Sequence, residues 1–391
     1  MSRLQRAYVN VDDFARAARR RLPRIFADYI DGGAFSETTL RRNRADFDRL
    51  QLRQKALHPL AEPDLSLDLF GKRRALPFGP APVGFLGLFR RAGDVALARA
   101  AARRNVPFVL STFSINGLET IANATGAAPD FQLYLDSDPE VNTFYLDQCR
   151  AAGVETVFLT VDTAITALRE RDARNGFLAV DRIGPRLAWQ FAQRPVWAID
   201  MLRGGMPAVE LVRERPEFGR NALAQAGNLS RRLDKNLTWD TVRRLRDEWR
   251  GRLVIKGIAN PEDARLAKEA GLDGIVLSNH GGRQLDHAAS TISQVASLRT
   301  EIGSEMVLYA DSGFRRGSDI VKALALGADF ILLGRPFAWA VAAAGEWGAD
   351  KLFGLLRTEI EITLQLMGLS NLRDLKKRGQ SVVMHQSGWD A

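Results

Sequence analysis

From residue 75 onward the chain alternates short apolar, β-branched runs with longer segments whose apolar side chains recur at helical spacing. The runs predict strands at 76–79, 107–111, 131–135, 156–162, 253–256, 274–278, 306–311 and 330–333. Helical patterns fill the intervals, among them 93–104, 139–152, 261–270 and 318–326. Strand and helix taking turns is the pattern of a parallel sheet, and eight repeats favour a closed (β/α)8 TIM barrel, an α/β fold, over an open doubly wound sheet. The predicted strands end in polar residues: Ser111, Asp162, Lys256, Ser278 with Asn279 and His280, Asp311, and Gly334 with Arg335. In a barrel those ends form the face that carries chemistry.

Two stretches stand outside the repeat. Residues 1–72 read as an N-terminal helical extension, with an amphipathic helix over Val11–Ala27 and a glycine turn over Tyr29–Ala34, leaving 73–391 for the barrel. Between the fourth and fifth strands, residues 163–252 far exceed a usual loop, which places an insertion at about 176–230. It contains Trp189, Phe191, Trp197, Met201 and Met206, and residues 182–205 hold four Arg and one Asp. That mixture suits a lipid headgroup region. It suits equally a lid, or a helix pair packed on the barrel or on a neighbouring subunit.

A net charge of +9 raises the question of nucleic acid, but 46 of the 55 basic residues are Arg, scattered among acidic ones, with no nucleic-acid motif. No nucleic-acid partner is expected. Cys149 is the only cysteine, which excludes an internal disulfide and any multi-thiolate metal cluster; no metal site is expected, and a reducing, cytoplasmic setting fits. The first 20 residues lack the apolar core of a signal peptide, and no apolar run reaches the roughly 18 residues of a spanning helix.

Only four histidines are present: His58, His280, His287 and His385. His280 directly follows an apolar strand, in Ser278-Asn279-His280-Gly281-Gly282-Arg283-Gln284-Leu285-Asp286, where its imidazole would face the barrel mouth. Arg283 could bind a carboxylate while His280 takes a proton from the same small molecule. Asp311-Ser312-Gly313-Phe314-Arg315 opens a helix after the seventh strand, and Gly334-Arg335 does so after the eighth; glycines, helix N-termini and arginines are what a phosphate monoester needs. Lys256 would point into the mouth, either to form a Schiff base, as in an aldolase-like lyase, or to hold negative charge on a flavin. Gln132 and Thr160 could hydrogen-bond a pyrimidine edge.

The set DYIDGGA at 28–34, FQLY at 131–134, LTVD at 159–162, RERD at 169–172, VIKG at 254–257, SNHGGRQLD at 278–286, DSGFRRGSDIVKALALGAD at 311–329 and LLGRP at 332–336 resembles the FMN-dependent L-2-hydroxy-acid dehydrogenase and oxidase family. Within it the sequence is most similar to the S-mandelate and L-lactate dehydrogenase branch. The resemblance implies His280 as general base, oriented by Asp162. Arg283 and Tyr29 would bind the substrate carboxylate, with Arg169 as a second cation and Tyr134 on the hydroxyl oxygen. FMN would rest on Pro80, Ala81 and Pro82. Ser111, Gln132, Thr160, Lys256 and Ser278 would line its ring, Asp311 and Ser312 its ribityl chain, and Gly313, Arg315, Gly334 and Arg335 its phosphate. Phe113 departs from the residue relatives often carry, so the substrate pocket cannot be copied from any of them. The resemblance further implies oxidation of an L-2-hydroxy acid to the 2-oxo acid, reoxidation by a quinone or dioxygen, a homotetramer, and peripheral contact with the inner face of the cell membrane through residues 182–207.

Overall fold

A computed structural model describes residues 7–59, 61–177, 183–205 and 207–385. The barrel strands are β1 (Phe78–Pro80), β2 (Val109–Ser111), β3 (Asp130–Leu133), β4 (Thr156–Thr160), β5 (Arg252–Ile258), β6 (Gly274–Leu277), β7 (Val307–Ala310) and β8 (Phe330–Leu333). They lie in one parallel sheet of eight, in the order β1-β8-β7-β6-β5-β4-β3-β2. β1 and β2 close the ring without a ladder; a Cβ on Gly79 would lie 3.2 Å from the Pro107 carbonyl. Pro80 and Pro107 flank this seam, and neither can donate a ladder hydrogen bond.

Every residue of β2, β4, β6 and β8 is buried, which is why they read as unbroken apolar runs. The eighth strand falls where the pattern predicts it. Except for β5, the others are trimmed or shifted by a few residues; Val161, Asp162, Ser278 and Asp311, for example, have already left the ladder for the turns above it. β5 is longer than expected and changes register between Lys256 and Ile258. Gly257 makes this bulge possible: its φ is +108°, and a Cβ there would lie 2.7 Å from the Asp162 side chain. The bulge thus clears the space that the Asp162 carboxylate occupies.

The extension differs from its expected form. Instead of one helix over 11–27 there are two, α1 (Val11–Arg21) and α2 (Arg24–Asp31). Pro23 has no N–H and forces Leu22 into extended backbone (ψ 145°), which ends the first helix. Asn10 and Asp13 form a capping box at its start. α2 runs through Tyr29, Ile30 and Asp31, so only Gly32–Ala34 make the turn expected from residue 29. A third helix, α3 (Thr38–Asp48), follows. A hairpin of Leu67–Leu69 with Lys72–Arg74 crosses residue 72 and brings Phe70 against Tyr309 in the barrel interior.

In the insertion, α4 (Pro185–Ala192) and α5 (Pro195–Leu202) stand side by side. Trp197 is buried and its indole donates to the Leu88 carbonyl at 2.9 Å. Farther along, Glu210 accepts from the Gly117 amide (2.6 Å) and the Thr120 hydroxyl (2.7 Å), capping the helix Leu118–Thr125. The opposite side of the pair is open, with Trp189, Val196, Ile199 and Leu202 exposed. Arg182 and Met206, inside the stretch singled out in the sequence, lie outside the described residues.

Asp286 ties the loop after β6 to the extension, accepting from the Thr39 amide at 2.8 Å and the Ser36 hydroxyl at 2.7 Å. Burial by itself would raise its pKa, but these donors prevail and hold the carboxyl below the ordinary range. A depressed folded-state pKa gives stability that is present above the unfolded carboxylate pKa near 4 and lost as pH falls below it. Asp286→Ala is therefore expected to lower the unfolding free energy at neutral pH by about 2–3 kcal/mol. The deficit should shrink as pH falls below about 4. Urea titrations at both pH values check this; an equal loss at both would contradict it.

Candidate active site

Strand and helix ends converge on one cleft at the C-terminal face of the barrel, its empty space about 1270 Å³ with the open mouth included. Tyr29, Tyr134, Arg169, His280 and Arg283 all line it. Asp162 stands directly behind His280, with its carboxylate 3.0 and 3.2 Å from Nδ1. This contact assigns the ring proton to Nδ1 and leaves Nε2 as the lone-pair nitrogen on the cleft side. His280 holds a left-handed conformation (φ +57°), followed by Gly281 and Gly282 at +67° and +73°. The Ser278 hydroxyl accepts from the His280 amide and the Ser312 hydroxyl from that of Gly281, so the turn is fixed at successive residues. Gln284 holds the Asp162 loop in turn, donating to the carbonyls of Asp162 (2.5 Å) and Ile165 (2.9 Å).

Burial pulls the His280 pKa down and Asp162 pulls it back, with the net effect below the ordinary value. Burial raises that of Asp162, yet His280 and Lys256 bring it below the carboxylate range. The pair therefore rests as carboxylate and neutral imidazole, the state in which imidazole accepts a proton. Burial, reinforced by Asp162, pushes the Tyr134 phenol well upward, so it stays a donor. The Arg283 guanidinium lies 4.6 Å from the Tyr29 ring centre, and its Nη1 donates to the carbonyls of Tyr29 (2.5 Å) and Gly32 (3.0 Å). Arg169 stands 3.3 Å from Asp172. Both arginines keep further N–H groups for an anion.

A second polar group runs along the floor. Ser111, Gln132, Thr160 and Lys256 come from the adjacent strands β2, β3, β4 and β5 and all line the cleft. The Ser111 hydroxyl donates to Gln132 Oε1 (2.8 Å), which fixes the amide. Gln132 Nε2 and Thr160 Oγ1 are buried with no partner. Burial lowers the Lys256 pKa, but Asp311 at 3.3 Å and Asp162 raise it further, so the ammonium is charged. Unmet donors beside a buried cation fit the polar edge of a flat heterocycle.

At the far end lie Gly313, Arg315, Gly334 and Arg335. Gly313 has φ +90°, and a Cβ would come within 2.0 Å of the Asn43 carbonyl, so no other residue fits this cradle. Burial, aided by Arg44, lowers the Arg315 pKa to about 10; burial, with Arg283 and Arg315, depresses that of Arg335. Arg335 spends its donors on the carbonyls of Ile30, Gly281 and Gly32. The Arg315 guanidinium donates to the Phe314 carbonyl and lies over Trp339, while its amide donates to the Asp319 carboxylate. These buried cations, next to the N-termini of the helices that begin at Gly317 and Arg335, could hold a dianion.

Ala81, Pro82, Asp311 and Ser312 line the cleft. Pro80 and Ser278 do not: Pro80 is still in β1, paired with Leu333, and Ser278 sits below the wall, where it accepts from Lys256 Nζ at 3.1 Å. The sequence reading missed the supports. Gln284 sat inside a motif already singled out, yet its neighbours are distant in sequence. Thr163, Thr166, Ser230 and Leu233 reach the mouth from the insertion and its flanks, and the Phe177 ring packs tilted against Tyr29 at 4.3 Å; nothing local to these residues signals it. Among the described residues no cluster of His, Cys, Asp and Glu could hold a metal ion.

A family model described as FMN-dependent dehydrogenase matches residues 18–381. The chain is 40% identical over 367 residues to an L-lactate dehydrogenase of Caulobacter vibrioides, covering 93% of this chain and 95% of that one. An L-lactate dehydrogenase of Pectobacterium atrosepticum is likewise 40% identical, with 93% and 94% covered. Among solved structures, the monotopic membrane protein (S)-mandelate dehydrogenase superposes with a TM-score of 0.90 at 35% identity, over 97% of this chain and 100% of that one. A mandelate oxidase with (S)-4-hydroxymandelic acid gives 0.82 at 34%, over 95% and 98%.

Because Asp162 raises the His280 pKa against burial, Asp162→Asn is expected to move the imidazole titration to still lower pH. With four histidines in the chain, NMR titration can follow this one. An upward or absent shift would contradict the pairing.

Proposed function

The chain belongs to the FMN-dependent dehydrogenase family, and we propose that it oxidises an L-2-hydroxy acid of the lactate or mandelate kind to the 2-oxo acid and passes the electrons to a membrane quinone. The observation that carries this is the cleft-side Nε2 of His280, backed by Asp162 and placed on the same wall as Arg283. When bound, FMN supplies the two-electron acceptor for the substrate's carbon–hydrogen bond.

Ser111, Gln132, Thr160 and Lys256 would hold the ring of FMN, Asp311 and Ser312 its ribityl chain, and Gly313, Arg315, Gly334 and Arg335 its phosphate. Arg283, with Arg169 beside it, would take the substrate carboxylate, a planar match for guanidinium. Tyr134, kept protonated by burial, donates to the substrate hydroxyl oxygen. Oxidation removes two electrons and two protons from a hydroxy acid. His280 takes one proton at Nε2, and the Asp162 carboxylate stabilises the imidazolium that results. The wall opposite is aromatic: Phe113 lies 4.9 Å from Tyr134 and 5.5 Å from Phe85. That surface favours an apolar or aromatic substituent on the hydroxy acid.

Contact with the inner face of the cell membrane is supported by the open side of α4 and α5, where Trp189, Val196, Ile199 and Leu202 are more than half exposed. No helix among the described residues is long and apolar enough to cross a bilayer. A homo-oligomer, a tetramer by family resemblance, is supported by the exposed Leu57, Ile362 and Leu366, brought close by the bond from the Lys55 amide to the Leu366 carbonyl.

Anaerobic addition of L-mandelate or L-lactate should bleach the yellow holoenzyme. His280→Gln should slow this by about 10²–10⁴-fold without loss of flavin; full-rate bleaching in that variant would overturn the assignment. Rapid reoxidation of the bleached enzyme by oxygen would make it an oxidase instead. The quadruple serine variant at Trp189, Val196, Ile199 and Leu202 should leave lipid vesicles for the supernatant with its bleaching rate unchanged; sedimentation as before would end the membrane reading.

A further inference from the structure

Between α1 and the two insertion helices lies a second cleft, remote in sequence from the barrel motifs and unused by the chemistry above. Arg16, Arg20, Arg21 and Arg194 line it, and four guanidiniums face only two carboxylates, Asp13 and Asp200. Arg16 and Arg20, one helical turn apart on α1, share a face. Arg20 pairs with no carboxylate among the described residues. Arg21 is the informative one. Its side chain is only 11% exposed, its Nη2 lies 2.6 Å from Asp200, and its buried Nε has no partner. A buried cation with an unmet donor at the wall of a basic cleft is costly unless an oxygen anion completes it.

Val196 lines this cleft. Val196, Ile199 and Leu202 follow each other at intervals of three along α5 and are 66%, 51% and 81% exposed, so Val196 joins the basic cleft to an apolar stripe. A free anion would fill the basic part and leave the stripe in water. An amphiphile with a phosphate head uses both.

We infer that this cleft binds the phosphate headgroup of an anionic phospholipid, whose acyl chains continue along the Val196–Ile199–Leu202 stripe. The inference rests on the membrane contact proposed above and gives it a lipid preference. The net charge of +9 works in the same direction, drawing the protein toward an anionic surface before the cleft engages.

Co-sedimentation of the holoenzyme with vesicles of phosphatidylcholine alone, or with one third phosphatidylglycerol (roughly, by moles), tests this. Binding to the mixed vesicles should be about tenfold tighter or more at low salt. Arg16→Gln/Arg20→Gln should erase most of that preference and leave flavin reduction intact. Arg265→Gln, on the barrel helix Pro261–Glu269 next to β5, on the other side of the ring from β1, should keep it. Should the double variant fold poorly, Arg20→Gln, which breaks no ion pair, gives the same reading. A preference retained in the Arg16/Arg20 variants, or lost equally in the Arg265 variant, overturns the site while the membrane contact stands. Thermal stabilisation by inorganic phosphate that depends on Arg20, with no preference between vesicles, assigns the cleft to a free anion and also overturns it. Binding to neither vesicle removes the membrane reading itself.

Discussion

Three successive left-handed residues, His280 to Gly282, are the constraint on which the site depends. A side chain leaving the end of a parallel strand would ordinarily continue up or out of the barrel. Here the reversal turns the imidazole across the mouth onto Asp162, and a non-glycine residue at φ +57° is uncommon enough to require an environment that enforces it. That environment comes from every side. Ser278 and Ser312 hold the turn from below, the Gly282 carbonyl receives the Ala34 amide at 2.9 Å, and Asp286 clamps the next residues to α3. The extension is thus part of the site: without it the turn would lose partners on one whole side.

Charge explains why so many backbone carbonyls point toward the cleft. Arg169, Arg283, Arg315, Arg335 and Lys256 line one volume whose own carboxylate lining is Asp311, with Asp162 and Asp172 behind the wall. Gathering that much positive charge out of water is costly: burial first, then a neighbouring guanidinium, pushes down the pKa values of Arg283 (beside Arg169), Arg315 (beside Arg44) and Arg335 (beside Arg283 and Arg315). The carbonyl ends of Tyr29, Ile30 and Gly32, at the last turn of α2, offset part of this through Arg283 and Arg335. The rest is met when anions enter. A cleft whose cations are incompletely neutralised has room for anionic groups at both ends, Arg315 and Arg335 at one and Arg283 and Arg169 at the other.

What could be read from the sequence follows from where the information sits. The barrel strands were legible because they are buried on both faces and bounded by polar turns, His280 and Arg283 because they follow such a run, and Lys256 because it is a charged residue directly after the apolar stretch Leu253–Ile255. The break between α1 and α2 was written in Pro23, yet the apolar spacing on either side continues in phase across it, so periodicity alone hid it. Ser278 and Pro80 stand one layer behind the cleft lining, Ser278 on Lys256 and Pro80 in the β1 ladder: at a strand end, one position decides whether a side chain faces the cleft or supports the residue that does. Gln284, Asn43 and Phe177 act through partners 100 or more residues away, or through a neighbouring element, and no local pattern carries that.

The insertion shows how a surface can be joined to a reaction centre without sharing its residues. Trp197, on the inner side of α5, donates to the Leu88 carbonyl, and the adjacent Phe89 lines the cleft and lies 6.1 Å from Tyr29. Glu210 grips the helix start at Gly117, just past Phe113 on the cleft wall. Both contacts are made by the buried side of the segment, and both end close in sequence to Phe89 and Phe113, which shape the pocket and perform no chemistry there. The exposed side chains on the outer side touch neither. Docking that outer side on another surface therefore need not disturb proton transfer at His280, whereas excising the segment would remove Trp197 and its hold beneath Phe89 together with the attachment. The two roles are separable by substitution on the outer stripe and inseparable by deletion, because one short helix pair serves the pocket wall with one face and the outside with the other.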